Sequence, residues 1–259
     1  MADFETMHTP HAGTRQATID MGLRTHMNKV YGLMSVAMLI TGAVAWMLAN
    51  MAVTSDPASA VAQLRGDVYL TQLGALIYTS PLKWVLMFAP LAVVFAFSAT
   101  LNKMSTSTAQ IVFWVFAALM GASISSIFLV FTGVSIAQTF LVTAISFAGL
   151  SLYGYTTKRN LSAMGSFLMM GLIGLIVASI VNIFLASSAL AFAISVIGVL
   201  IFAGLTAYDT QNIKNTYLQL AAGGGQDFMG KAAIIGALKL YLDFINLFMF
   251  LLQFMGDRR

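Results

Sequence analysis

Cysteine is absent from this 259-residue sequence, which excludes disulfides, thiolate zinc sites and cysteine nucleophiles together. Histidine is nearly so. His8, His11 and His26 all precede the first long apolar run, so no haem, zinc or serine–histidine chemistry can be built among the apolar segments. Charge is scarce as well. Charged residues make up 8% of the chain, against roughly 25% in a soluble domain. With 59% hydrophobic residues and a mean hydropathy of +0.87, a water-facing surface cannot be covered, and most of the surface must face lipid. These deficits predict a polytopic membrane protein and not an enzyme. The lipid bilayer is its first partner, and nothing suggests nucleic acid.

About 20 apolar residues are needed to cross a bilayer as a helix. Seven runs qualify: Val30–Val53, Trp84–Leu101, Ala109–Phe131, Ser135–Thr156, Leu161–Leu185, Ser188–Thr210 and Ala232–Met255. Residues 1–29 are polar and read as an N-terminal tail ahead of a seven-helix domain at 30–259. The lead is too long, and the apolar run that follows it too extended, for a signal peptide, so the first helix is expected to be a retained anchor. His8 and His11, three apart, belong to that tail and have no third ligand nearby. Pro90 falls inside the second run, where it removes a backbone hydrogen bond, frees the carbonyl of Leu86 and predicts a kink. Gly121 with Ser123, Ser125 and Ser126, Gly171 with Gly174, and Gly198 with Gly204 would let helix backbones approach closely. The longest connection, Thr54–Lys83, contains a Gly74–Tyr78 stretch suited to the interface, and Gly223-Gly224-Gly225 joins the last two runs.

Orientation follows from the basic residues. With the N-terminus inside, the cytoplasmic segments hold Arg15, Arg24, Lys29, Lys103, Lys158, Arg159, Lys214 and Lys231, and the other side holds Arg65, Lys83, Arg258 and Arg259. Eight against four predicts a cytoplasmic N-terminus and an external Arg259. A reporter that fluoresces only in the cytoplasm, fused after Arg259, is therefore expected to stay dark. A bright fusion would mean six spans or a re-entrant seventh.

Only three charged residues fall within the seven runs: Asp209, Lys239 and Asp243. A charge at the bilayer centre costs roughly 2.5–3.5 kcal/mol on insertion scales, so each needs a partner, a proton or water. Lys239, Asp243 and Asn246 are spaced by four and three and share one face of the seventh helix, while Tyr241 and Phe244 point elsewhere. Thr206, Asp209 and Asn212 share a face of the sixth. Two arrangements are open. Asp243 could pair with Lys239 on its own helix while Asp209 snorkels to the interface. Alternatively, the two helices bring both carboxylates together, in which case they cannot both ionise cheaply and would share a proton. The second arrangement makes a pH-responsive element and, once deprotonated, a site attractive to a cation.

The residues around these aspartates resemble a known family. Ala207-Tyr208-Asp209-Thr210-Gln211 and Leu240-Tyr241-Leu242-Asp243-Phe244-Ile245-Asn246-Leu247-Phe248 are similar to the two C-terminal signatures of the Bax inhibitor-1 family, and Val181-Asn182-Ile183-Phe184 resembles a third. The similarity runs from about residue 25 to 255 and fits best the bacterial YccA-type branch. It implies an all-α integral membrane protein of the bacterial inner membrane. Seven transmembrane helices would be arranged with the last, relatively polar one enclosed by the other six. It also implies a calcium-leak or cation-channel activity gated by Asp209 and Asp243, with Lys239, Asn246, Tyr208 and Asn182 as the supporting polar residues. Calcium would be the permeant ion, held only transiently by the two aspartates, and no cofactor is implied. A relative of similar size restrains a membrane-bound ATP-dependent protease, which makes a non-conducting modulator the alternative function. The chain departs from the pattern in one place. Channel-like relatives carry an arginine latch on the second helix, and Trp84–Leu101 has no charge at all, leaving Lys103 and Lys239 as the nearest substitutes.

Other seven-helix functions fit less well. A retinal-binding pump using Lys239 would need carboxylate counter-ions on the third helix, and Ala109–Phe131 contains none. A proton-coupled transporter could use Asp243, but no inverted repeat is visible.

Overall fold

A computed structural model describes residues 12–65, 68–223 and 226–259. His8 and His11 lie outside the described residues. The first helix, α1 (Ala12–Ala52), leads into a small three-stranded antiparallel sheet of β1 (Val53–Thr54), β2 (Ala62–Arg65) and β3 (Val68–Leu70), with β3 in the middle. A short helix, α2 (Gln72–Tyr78), follows, and then α3 (Leu82–Thr100), α4 (Thr106–Ile124), α5 (Ile127–Val130), α6 (Gly133–Thr156), α7 (Ser162–Leu185), α8 (Ser188–Gly223) and α9 (Gln226–Met255). Counting α4 and α5 as one interrupted span, seven helices are long and apolar enough to cross a membrane. The chain is an all-α integral membrane protein.

Burial is uneven among the seven, and this defines the architecture. Over its most apolar stretch α9 is 61% buried, whereas α3 and α7 are 11% buried. α9 packs against α1, α4, α6 and α8, and its Leu240, Tyr241, Leu247 and Leu252 are almost wholly enclosed. The outer helices present Trp46, Trp84, Phe95, Phe167 and Phe184 outward, each more than half exposed. That is the inside-out pattern a lipid solvent permits. The last helix is therefore the axis of the bundle, but it is enclosed mainly by α1, α4, α6 and α8 rather than by all six other helices, since α3 packs on α4 and α7 on α8.

Small residues set the close approaches. A side chain at Gly121 would strike the backbone of Thr41, one at Gly154 the carbonyl of Ala207, and one at Gly198 the ring of Phe250. Gly204 faces Leu168 and Gly171 faces Ile201, but Gly174 faces open space. Pro90 is buried within α3, which remains one helix through it. At the closed centre, Thr41 Oγ1 lies 2.7 Å from the Tyr241 hydroxyl and 2.8 and 2.9 Å from the carbonyls of Ala117 and Ala37. With one proton to give, Thr41 donates to a carbonyl and accepts from Tyr241, tying α1, α4 and α9 together.

Three helices outrun the apolar runs that announce them. α1 has 41 residues and α8 has 36, about 62 and 54 Å at 1.5 Å per residue, against a hydrocarbon core of about 30 Å. The excess lies in residues 12–29, 211–223 and 226–231, all at one end of the bundle. Residues 12–29, expected as a polar tail, are thus the first turns of α1, and Leu23, His26 and Met27 within them are buried. His26 packs on the Tyr217 ring of α8 at 5.0 Å, and Gly22 sits under the Tyr217 hydroxyl. The third run is broken at Ser125, whose hydroxyl donates to Ala122 O and meets the Tyr78 hydroxyl at 2.9 Å.

At the other end of α9 the chain continues as a strap. Thr132 N donates to Asp257 O, Arg259 N to Val130 O, and Asp257 N to Ser135 Oγ. Phe131 and Arg258 pair as an antiparallel bridge, with the guanidinium over the Phe131 ring.

Candidate functional site

α8 and α9 are joined through residues 224–225 and so run antiparallel side by side. Asp209 lies 14 residues before the end of α8, and Lys239 and Asp243 lie 13 and 17 residues after the start of α9. Equal rise per residue brings all three to a similar depth, with Lys239 level with Asp209 and Asp243 one turn further in.

The side chains follow this arithmetic. The carboxyl groups of Asp209 and Asp243 lie close enough to interact directly. Lys239 Nζ reaches Asp209 Oδ1 at 3.7 Å, across the helix pair rather than along its own helix. The pairing of Lys239 with Asp243, one of the two arrangements open from sequence, is not the one adopted. Asp209 does not snorkel either, since its side chain is only 14% exposed. Asp243 is 4% exposed, and its Oδ2 is buried with no protein hydrogen-bond partner. Lys239 is the most open of the three, its side chain 42% exposed. Two acids and one base are therefore stacked along a single seam, with the unsatisfied oxygen at its deepest point. Among the described residues no third acidic or imidazole group joins them to complete a metal site.

The remaining expected site residues are not brought to the pair. Asn246 turns its amide back to Leu242 O on its own helix. Tyr208 lays its ring on Gly165 of α7. Asn182 lies at the far end of the bundle, where its Oδ1 accepts from Ser187 N and its carbonyl accepts from Ala186, a residue with φ of 48°. Twenty-one residues of α8 separate that turn from Asp209, about 32 Å. Asn182 is a helix-ending residue and not part of the site.

Spacing does not find the polar contacts that flank Asp209. Thr210 Oγ1 meets Ser151 Oγ of α6 at 2.9 Å, and Ser151 meets the Tyr31 hydroxyl of α1 at 2.5 Å. Gln211 is buried and clamps the α6–α7 connection, accepting from Leu161 N and donating to Arg159 O. Lys214 donates to Tyr155 O and sits over the Tyr155 ring. Three consecutive residues, Asp209, Thr210 and Gln211, thus engage three different neighbours, as a helix with 100° between residues allows.

Comparison with known proteins adds the family. Residues 23–259 match the family model described as inhibitor of apoptosis-promoting Bax1. A protein of Caulobacter vibrioides is 48% identical over 242 residues, covering 93% of this chain and 92% of the relative. A Rickettsia prowazekii protein is 44% identical over 246 residues, covering 95% of each. The inner membrane protein YbhL of Escherichia coli is 45% identical over 239 residues, covering 92% of this chain and 94% of YbhL. With a match over nearly its whole length, and with both aspartate signatures on one helix hairpin, the chain belongs to the Bax inhibitor-1 family.

Proposed function

We propose that the chain is a calcium-leak or cation-channel-like protein of the bacterial inner membrane, its N-terminus cytoplasmic, and that the proton held between Asp209 and Asp243 sets its opening. The observation that carries this reading is that two carboxyl groups face each other inside a lipid-facing bundle, with one of their oxygens buried and unpartnered. Two carboxyls can hydrogen-bond only while one keeps a proton. Its loss leaves two like charges in contact, with only the partly exposed Lys239 beside Asp209 to offset them. Repulsion then parts α8 from α9 or draws a cation between the carboxylates. Calcium takes six to eight oxygens and two carboxylates supply at most four, so water must complete its shell. That suits a passing ion rather than a resident one.

Lys239 stands where the latch is needed. It restrains Asp209 from α9 itself, in place of the charge that Trp84–Leu101 lacks. Beyond Asn246 the core face of α9 is dry: Leu247, Phe248 and Leu252 are buried, and Phe140 of α6 packs edge-on to Phe248. Conduction requires those contacts to loosen, so the arrangement described is the closed one.

The test is flux. Purified protein in vesicles loaded with a calcium dye is expected to pass calcium above the rate of empty vesicles, with a rate that changes between pH 5 and 8. Leak no greater than that of empty vesicles at every pH would sink the channel reading. A non-conducting modulator of a membrane-bound ATP-dependent protease would take its place.

A further inference from the structure

We propose that the groove between α1 and α6 holds one anionic glycerophospholipid, its phosphate at Arg24 and one acyl chain lying along Phe147 and Phe140. Both helices pack on α9, but between them they leave an open groove of about 1230 Å³ whose floor includes Phe244. That exceeds the roughly 300–1,000 Å³ of a small-molecule pocket. The groove is polarised along its length. One end carries Arg24, Asn28, Tyr31, Ser151 and Tyr155, and the rest is walled by Met34, Met38, Leu39 and Phe140 with small residues between. Among the described residues Arg24 is the only charged one that lines it, so the groove is positive at its polar end and neutral elsewhere.

Length fits the same occupant. From Tyr155 to Phe140 is 15 residues of α6, about 22 Å. One bilayer leaflet contributes about 15 Å of hydrocarbon and 5–7 Å of headgroup layer. A single lipid therefore runs from the polar cluster to the end of the apolar wall. The methionines give that wall the adaptability a flexible chain needs. A partner helix would bury the apolar wall as well, but would leave the Arg24 end without a counter-charge.

Native mass spectrometry of the full chain tests this, after exchange into micelles containing phosphatidylglycerol or phosphatidylcholine of the same acyl length. Wild type is expected to retain one phosphatidylglycerol and to prefer it over phosphatidylcholine by about fivefold, the value of one basic group at a lipid surface. Arg24→Gln is expected to erase the preference while lipid still binds. Gly42→Phe fills the groove and is expected to remove the retained lipid. A Cβ at Gly42 meets nothing within 4 Å, so the new side chain leaves the helix into open space. Gly174→Phe, equally open but on α7 outside the groove, is the control and is expected to keep the lipid. Equal retention by wild type and Gly42→Phe overturns the proposal. So does a wild-type spectrum of dimers that Gly42→Phe converts to monomers, which would make a second copy the occupant.

Discussion

Asp243→Asn is expected to abolish the pH dependence of calcium flux in vesicles, leaving the rate at every pH from 5 to 8 near the acidic plateau of the wild type. Asparagine is close to aspartic acid in size, so the packing around this 4% exposed residue is kept. Its amide also donates a hydrogen bond to Asp209, as a protonated Asp243 would, and it cannot lose that donor. The variant thus imitates the protonated pair permanently. Asp209→Asn is expected to flatten the profile in the same way. Lys239→Met removes the cation 3.7 Å from Asp209 and makes the doubly ionised pair harder to form, so its flux midpoint is expected to move to higher pH with both plateaus kept. A wild-type pH profile in Asp243→Asn would acquit the carboxyl pair as the sensor, even if the protein conducts.

The largest effect on stability is expected at Gly154. A Cβ placed there strikes Ala207 O and lies 2.9 Å from its carbonyl carbon and 3.0 Å from its Cα. All three are backbone atoms of Ala207 in α8, two residues before Asp209, and backbone cannot rotate out of the way. Gly154→Val must therefore push α6 off α8. Overpacking a core typically costs about 1–3 kcal/mol and occasionally more, and a rigid obstacle places this case at or above the upper figure. Gly149→Val on the same helix is the control, because a Cβ there meets nothing within 4 Å and the position is exposed. Thermal unfolding in detergent is expected to separate the two variants clearly. Equal melting temperatures would mean that α6 and α8 can part without cost.

Hydropathy made the membrane-embedded part of the fold legible and little else. The runs at Ser135–Thr156 and Leu161–Leu185 match α6 and α7 to within two residues, because those helices are apolar from end to end. It missed residues 12–29, 211–223 and 226–231, since helix that leaves the bilayer turns polar and looks like loop or tail. The break at Ser125 was equally hidden, as two serines in an apolar run read as small packing residues. The aspartate pair was legible because charge in an apolar helix is costly and therefore conspicuous. Its partner was not. Lys239 is four residues from Asp243, and only the length of the α8–α9 hairpin shows that it stands level with Asp209. Tyr31, Ser151 and Thr210 left no signal, because hydroxyls in membrane helices mostly bond back along their own helix, as Thr143 does to Thr139 and Thr206 to Phe202.

The strap at Gly256–Arg259 makes α9 a lever with a fixed fulcrum. Its hydrogen bonds to Val130, Thr132 and Ser135 hold one end of the helix while the other ends in a short glycine link. Asp243 lies 12 residues from Met255, about 18 Å along the axis, so a tilt of only about 10° would carry its carboxyl roughly 3 Å. That travel is about the length of one hydrogen bond. A small pivot of the central helix, with its outer end staying in place, is thus enough to make or break the contact between the two aspartates.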